Sequence, residues 1–309
     1  MASDPSNSSS SSFILVGVPG LEAFPTCLGV LFCSAYVMAL VGNGAVLLVT
    51  GLDKSLPAPC HGLLAMLAAV DVLMVRAVVP RLLSVLWLSS AWIGSAACFG
   101  QMFLVHSATS AESGLLLAMA LDRYVAICHP VAQMGLAIVL RALLFVVPLT
   151  GLVTSPPCCG PRAVPHSYRE HQAVAGPACA DPAPAGLYSM AASSLTAGAD
   201  GACIGACIAA SCGRILRAVP GHGAHRRALS TCGCHLCVVL LFYLPGIVSV
   251  YAQHLGSAVP TPARVLLADL ALALPATLNP LVHGIKVKQI QEGTLRLLGQ
   301  LAGLRLMSC

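Results

Sequence analysis

Seven stretches of this chain are apolar, poor in charge and about as long as a bilayer is thick: residues 23–52, 62–86, 96–121, 137–154, 187–212, 231–252 and 265–285. A helix needs about 20 apolar residues to cross hydrocarbon. No water is available there to backbone N–H and C=O groups, so a spanning segment must satisfy them itself, as a helix does. The pattern predicts an all-α membrane protein: one domain over residues 1–309, with a seven-transmembrane helix bundle across 23–285. An odd number of crossings puts the two ends of the chain on opposite sides. Composition agrees, because only 9% of residues are charged, against about 25% in a soluble domain.

Basic residues set the orientation. One side collects Lys54, Arg123, Arg141, Arg214, Arg217, Arg226, Arg227, Lys286, Lys288, Arg296 and Arg305, while the other has Arg162, Arg169 and Arg264. The positive-inside rule then puts residues 1–22 outside and the tail, 286–309, in the cytoplasm. Asn7-Ser8-Ser9 is a glycosylation sequon on that outer segment. Residues 1–12 are polar and lack a basic region followed by an apolar core, so no cleaved signal peptide is expected. The net charge of +5 is spread thinly at the ends of apolar runs, which is no nucleic-acid patch. In the tail, Ile290, Leu297, Leu298, Leu301 and Leu304 alternate with polar and basic residues. That spacing suits a short amphipathic helix lying against inner-leaflet lipid. Most of the 15 cysteines lie inside apolar runs, where a thiol behaves as a small hydrophobe.

Function is sought where charge is costly. Asp122 and Arg123 follow directly on the third run, and Tyr124 follows them. A charge at the bilayer centre costs roughly 2.5–3.5 kcal/mol, so the pair belongs where a helix leaves hydrocarbon. Arg123 is either latched by Asp122 or swung away to meet another protein; the plain alternative is a solvated helix end. Asp71 and Glu112 lie inside the second and third runs, and intramembrane acids mark functional sites by default. With Asn43 and Asn279 they can form an oxygen-rich pocket for a sodium ion or a shared proton, or else a structural polar knot between helices. Cys232, Cys234, His235 and Cys237 imitate zinc ligands, but on one helix they spread around the axis, so no metal site is expected.

The run Met119-Ala120-Leu121-Asp122-Arg123-Tyr124-Val125-Ala126-Ile127-Cys128-His129-Pro130 resembles the inner end of the third helix in olfactory receptors, a branch of the rhodopsin-like G-protein-coupled receptors. Phe13-Ile14-Leu15-Val16-Gly17-Val18-Pro19-Gly20-Leu21-Glu22, Gln101-Met102-Phe103 with His106, and His166-Ser167-Tyr168 look like the class I, fish-like members. Ser230-Thr231-Cys232 with His235-Leu236, and Phe242-Tyr243-Leu244-Pro245, are similar to the family's sixth helix. Leu278-Asn279-Pro280 and Lys286-Val287-Lys288-Gln289-Ile290 are similar to its seventh helix and tail.

The resemblance implies a rhodopsin-type bundle in the plasma membrane and no enzymatic activity. It implies a disulfide between Cys98 and Cys179, a sodium- or proton-sensitive site at Asp71 and Glu112, and otherwise no cofactor. The partners it implies are a small odorant and a stimulatory G protein that meets Asp122, Arg123 and Tyr124 and raises cyclic AMP. Counting turns from the matched motifs, the ligand lining would be His106, Thr109, Ser110, Thr196, Asp200, Tyr243, Ile247, Val250 and His254. Such a cup suits small volatile or weakly polar ligands. Class I members often carry arginine near His254, so recognition of acids is doubtful here.

The chain also departs from the family. His283 stands where the seventh helix usually ends in tyrosine, Cys212 replaces the tyrosine of Ser-Tyr, and Pro59-Cys60-His61 replaces Pro-Met-Tyr. Arg76 is a cation inside the second run, for which snorkelling toward an acid is expected, and Arg169 stands where cysteine is usual. Two alternatives stay open: a receptor of this fold that has lost signalling or surface expression, and an ion-coupled transporter using Asp71, Glu112 and Asp200. The second lacks the inverted repeat with paired broken helices that transporters show.

Overall fold

A computed structural model of the chain describes residues 12–15, 25–52, 58–88, 92–125, 131–155, 163–164, 183–218, 222–255 and 258–286. Seven helices dominate: α1 (Pro25–Leu52), α2 (Ala58–Leu88), α3 (Ser95–Val125), α4 (Val131–Thr154), α5 (Ala183–Ala218), α6 (His222–His254) and α7 (Thr261–Lys286). Each contains a stretch long and apolar enough to cross a membrane. Even α4, with 24 residues, is about 36 Å long at 1.5 Å per residue. Each expected run coincides with one helix, but the helices extend past the apolar runs at their polar ends; α4 begins at Val131 rather than at 137.

Local chemistry sets the boundaries. Ala183-Pro184 and Thr261-Pro262 open α5 and α7, where proline's missing N–H costs nothing. Pro156 follows the end of α4, and Ser155 closes the last turn, its N–H 3.0 Å from the Gly151 carbonyl. Prolines also sit inside α2 (Pro80), α4 (Pro148), α6 (Pro245) and α7 (Pro275, Pro280), as membrane helices tolerate when neighbours satisfy the freed carbonyls.

The bundle closes around α3, which touches α2, α4, α5 and α6, while α1 lies against α2 and α7. Leu63, Leu67, Leu115, Leu116, Met119, Ile204 and Val238 form the main buried cluster. The outer faces carry large apolar residues such as Val41, Leu48, Leu140, Leu144 and Leu195, all exposed. In water such a surface would aggregate; in lipid it is solvated. At Gly42, α1 and α7 nearly touch: a β-carbon there would lie 2.7 Å from Pro280 Cγ and 2.9 Å from Pro280 Cβ. Gly42→Leu is therefore expected to push α1 off α7 and cost about 1–3 kcal/mol, read as a lower unfolding temperature of the purified protein.

Three short strands form a sheet of order β2-β1-β3: β1 (Ser12–Leu15), β2 (Trp92–Gly94) and β3 (Ala163–Val164). β1 pairs antiparallel with β2, Phe13 opposite Ile93, and parallel with β3, Ile14 opposite Ala163. The N-terminal segment is thereby tied to the α2–α3 and α4–α5 connections, all at one end of the bundle. The sequence had not pointed to this sheet.

Asn7, Cys179 and the tail from 287 onward lie outside the described residues, as do the side chains of Arg123 and His283. So do the sequon, the Cys98–Cys179 bridge and the amphipathic tail helix. One expectation is corrected. Arg141 does not sit with the cytoplasmic cations but within the fourth span, Gln133–Thr154, paired with an acid. Arg76 reaches no acid among the described residues: it is exposed on α2.

Candidate functional site

A cavity of about 230 Å³ opens between α3, α4, α5, α6 and α7. Drug-sized sites run to roughly 300–1,000 Å³, so this one fits a smaller molecule. Of the expected lining, His106, Thr109, Ser110, Thr196, Tyr243, Ile247 and Val250 face it. Sequence reasoning missed Phe145, Val146 and Leu149 on α4, Tyr188, Ser189 and Ser193 on α5, and Leu272 on α7. Helical spacing on α3 and α6 found the inner face of each; nothing in α4 or the upper part of α5 marked theirs.

Several polar groups of the lining are already engaged. His106 Nδ1 lies 2.9 Å from the Met102 carbonyl, which can only accept, so Nδ1 carries a proton. Thr109 Oγ1 donates to the Val105 carbonyl at 2.9 Å and Tyr188 OH to the Phe145 carbonyl at 3.1 Å. Ser110 Oγ is buried without a hydrogen bond.

The floor is a four-residue knot. Arg141 Nη2 donates to Asp200 Oδ2 at 2.5 Å and to Ser113 Oγ at 3.2 Å. Ser113 Oγ donates to the same carboxylate oxygen at 2.5 Å, and Tyr243 OH does so at 3.2 Å. Ser113 and Tyr243 are themselves 2.8 Å apart. One carboxylate thus joins α3, α4, α5 and α6. Gly114 helps to make room for it: a β-carbon there would sit 3.1 Å from Ile138 and 3.6 Å from Arg141 Nη1. Asp200 and His254 are therefore misplaced as lining. Asp200 lies beneath the cavity as the acceptor of the knot. His254 lies beyond it, with Nδ1 2.9 Å from the Val250 carbonyl and Nε2 2.9 Å from the Gly186 carbonyl, bridging α6 to α5. The signal for the knot was present: an acid and a base inside neighbouring spans seek each other in hydrocarbon.

A second polar cluster lies between α2, α3 and α7. Asp71, Glu112 and Asn279 are all buried. Asn279 Nδ2 donates to Asp71 Oδ2 at 3.1 Å and to Glu112 Oε1 at 3.3 Å, so one amide bridges two acids. Asn279 Oδ1 is buried without a partner. Glu112 also reaches the cavity wall. These oxygens are hard donors of the kind small cations take. The fourth expected member, Asn43, stands apart: its Nδ2 donates to the Ala276 carbonyl at 2.8 Å and the Ala39 carbonyl at 3.0 Å, pinning α1 to α7. Among the described residues no three His, Cys, Asp or Glu side chains gather as metal ligands.

At the far end of α3, Asp122 is half-buried. The Arg214 guanidinium stands 4.1 Å from the centre of the Tyr124 ring and donates to the Tyr124 carbonyl at 3.0 Å. Cation–π stacking of this kind holds the foot of α5 against α3.

Residues 32–301 match the family model described as olfactory receptor. The chain is similar to olfactory receptor 52I2 of Homo sapiens, 45% identical over 91% of this chain and 83% of that one. To olfactory receptor 52I1 of Homo sapiens it is 44% identical, over 91% and 90%. Among solved structures it is similar to squid rhodopsin, with a TM-score of 0.68 and 16% identity over 92% of this chain and 87% of that one, a likeness of fold.

Proposed function

The chain belongs to the olfactory receptor family, multi-pass membrane receptors of the G-protein-coupled class rather than enzymes, and from that premise we propose that its cavity binds small volatile or weakly polar organic molecules and that binding activates a stimulatory G protein to raise cyclic AMP. The observation that carries this reading is the position of the cavity directly on the Arg141–Asp200–Ser113–Tyr243 knot. A ligand touching Ser113 and Tyr243 acts on hydrogen bonds that join four helices. Altered bonding there biases the bundle between two arrangements, and the end of α3 with Asp122, Arg123 and Tyr124 meets the G protein. The receptor works in the plasma membrane with residues 1–22 outside, Asn7 glycosylated and Cys98 bridged to Cys179. Asp71, Glu112 and Asn279 hold a sodium ion or a shared proton, with Asn43 fixing α7 beside them.

Epitope-tagged receptor expressed with the olfactory G protein, scored for surface staining and for cyclic AMP against short alcohols, aldehydes and acids, tests this. Surface protein that answers none of them counts against it.

A second reading, a receptor of this fold that no longer signals, is favoured by Arg76, exposed on a membrane span with no ion pair among the described residues, and by Cys212 on α5. If tyrosine hydroxyls at Cys212 and His283 are what the active state lacks, His283→Tyr with Cys212→Tyr adds bonds of about 0.5–1.5 kcal/mol each. Cyclic AMP output should then rise with surface level unchanged. A double variant as silent as the parent rejects that account.

A further inference from the structure

Arg76 is a cation that the bundle neither buries nor pairs with an acid among the described residues. It lies on the lipid side of α2. Residues three, four and seven apart share a helix face, and Ala69, Leu73, Pro80 and Trp87, which stand at such intervals along one stripe with Arg76, are all exposed. The opposite face of α2, with Asp71, Val75, Val78 and Leu82, is buried in the bundle.

Depth makes that exposure costly. Trp87, 47% exposed on the same stripe, closes the span His61–Trp87, and an exposed tryptophan at the end of a span marks the membrane–water interface. Arg76 lies eleven residues before it, about 16 Å along the axis, which is the middle of a hydrocarbon layer about 30 Å thick. Snorkelling carries a guanidinium part of the way to the headgroups, but its stem is far shorter than that depth. Charged residues so deep in a membrane turn inward or find a partner.

A second copy of this chain does not supply the counter-charge. Among the described residues, the acids deep within its spans, Asp71, Glu112, Asp200 and Asp269, are all buried, and Asp122 stands at the far end of α3. The rest of the stripe, Ala69, Leu73, Pro80 and Trp87, is apolar. A foreign helix can therefore pack along it by van der Waals contact, while one polar pair fixes its depth and rotation.

We propose that the exposed face of α2 around Arg76 docks a transmembrane helix of a different membrane protein, one that carries an aspartate or glutamate near its middle on an otherwise apolar face, and that this carboxylate pairs with Arg76. Each charge alone is expensive in hydrocarbon, and a guanidinium and a carboxylate satisfy each other there through charge-assisted hydrogen bonds. With such a helix in place, Arg76 is an assembly contact rather than a flaw in the span. The contact lies outside the cavity and does not depend on what binds there.

Full-length receptor in phosphatidylcholine vesicles, with a donor fluorophore on its C-terminal end, tests this by energy transfer to acceptor-labelled synthetic helices. The helices are leucine-rich, long enough to span, and carry a single central glutamate, leucine or arginine. The glutamate helix should associate with the parent about tenfold more tightly than the leucine helix, the size expected of one interhelical polar contact. Arg76→Leu should bind these two helices alike, and it should fold as the parent does, because it puts an apolar residue where a cation faced lipid. Arg76→Glu should lose the glutamate helix and gain the arginine helix. Equal binding of the glutamate and leucine helices by the parent overturns the proposal. So does undiminished binding of the glutamate helix by Arg76→Leu, which puts the contact elsewhere. Phosphatidylserine added to the vesicles should leave the preference intact; its loss would assign Arg76 to a lipid headgroup and overturn the helix partner.

Discussion

Asp200→Ala should cost the receptor about 3–5 kcal/mol, the range measured when one partner of a buried ion pair is removed. The carboxylate is the sole acid of the knot: Arg141, Ser113 and Tyr243 all donate to its Oδ2. Deleting it leaves a guanidinium inside a membrane span with no counter-charge and strands two hydroxyls. A folded domain is stable by only 5–15 kcal/mol, so much of the protein should fail to reach the surface, and purified protein should unfold at a markedly lower temperature. Arg141→Ala should be milder, because Ser113 and Tyr243 still solvate the remaining carboxylate. The decisive variant removes both charges. Arg141→Met with Asp200→Leu should recover most of the lost stability, as apolar replacement of a whole buried pair does. It should not recover ligand response, because Ser113 and Tyr243 no longer share an acceptor that joins α5 to α3. If Asp200→Ala unfolds at the parent's temperature, the knot does not hold the four helices together. If the double variant signals like the parent, the knot does not carry the signal.

Asn279→Ala is expected to have the next largest effect. Its amide donates to Asp71 and Glu112 together, and bonds to charged groups contribute about 1.5–3 kcal/mol each. Without the bridge, two buried acids face each other across α2 and α3. Glu112→Gln added to Asn279→Ala should restore part of the loss, since a glutamine amide can donate to Asp71. The same cluster is where sodium is proposed to bind. Replacing choline chloride by sodium chloride should therefore raise the unfolding temperature of the parent, by the linkage of binding to folding, and leave that of Asp71→Asn unchanged. An equal rise in both proteins rules out a sodium site at Asp71.

Much of this architecture was already written in the chain. Whether a segment spans hydrocarbon depends on its own length and polarity, which is why the seven runs each became one helix. Helical period also placed His106, Thr109 and Ser110 on one face of α3, and Tyr243, Ile247 and Val250 on one face of α6. Period says which way a side chain points, but not what stands opposite. Asp200 pointed inward as expected, yet its partner was a cation that the count of basic residues had assigned to the cytoplasm. Asn43 was grouped with the acids because all were polar in apolar runs; the rotation of α1 gave its amide to the backbone of α7 instead.

The β sheet lay further out of reach. Its strands are of four, three and two residues, too short to carry a period, and their pairing joins segments distant in sequence, one of them in parallel. Sequence thus determined what each segment had to bury or expose, because that balance is local. Tertiary structure decided which charge met which, because that follows from how seven rigid rods are rotated and spaced against one another.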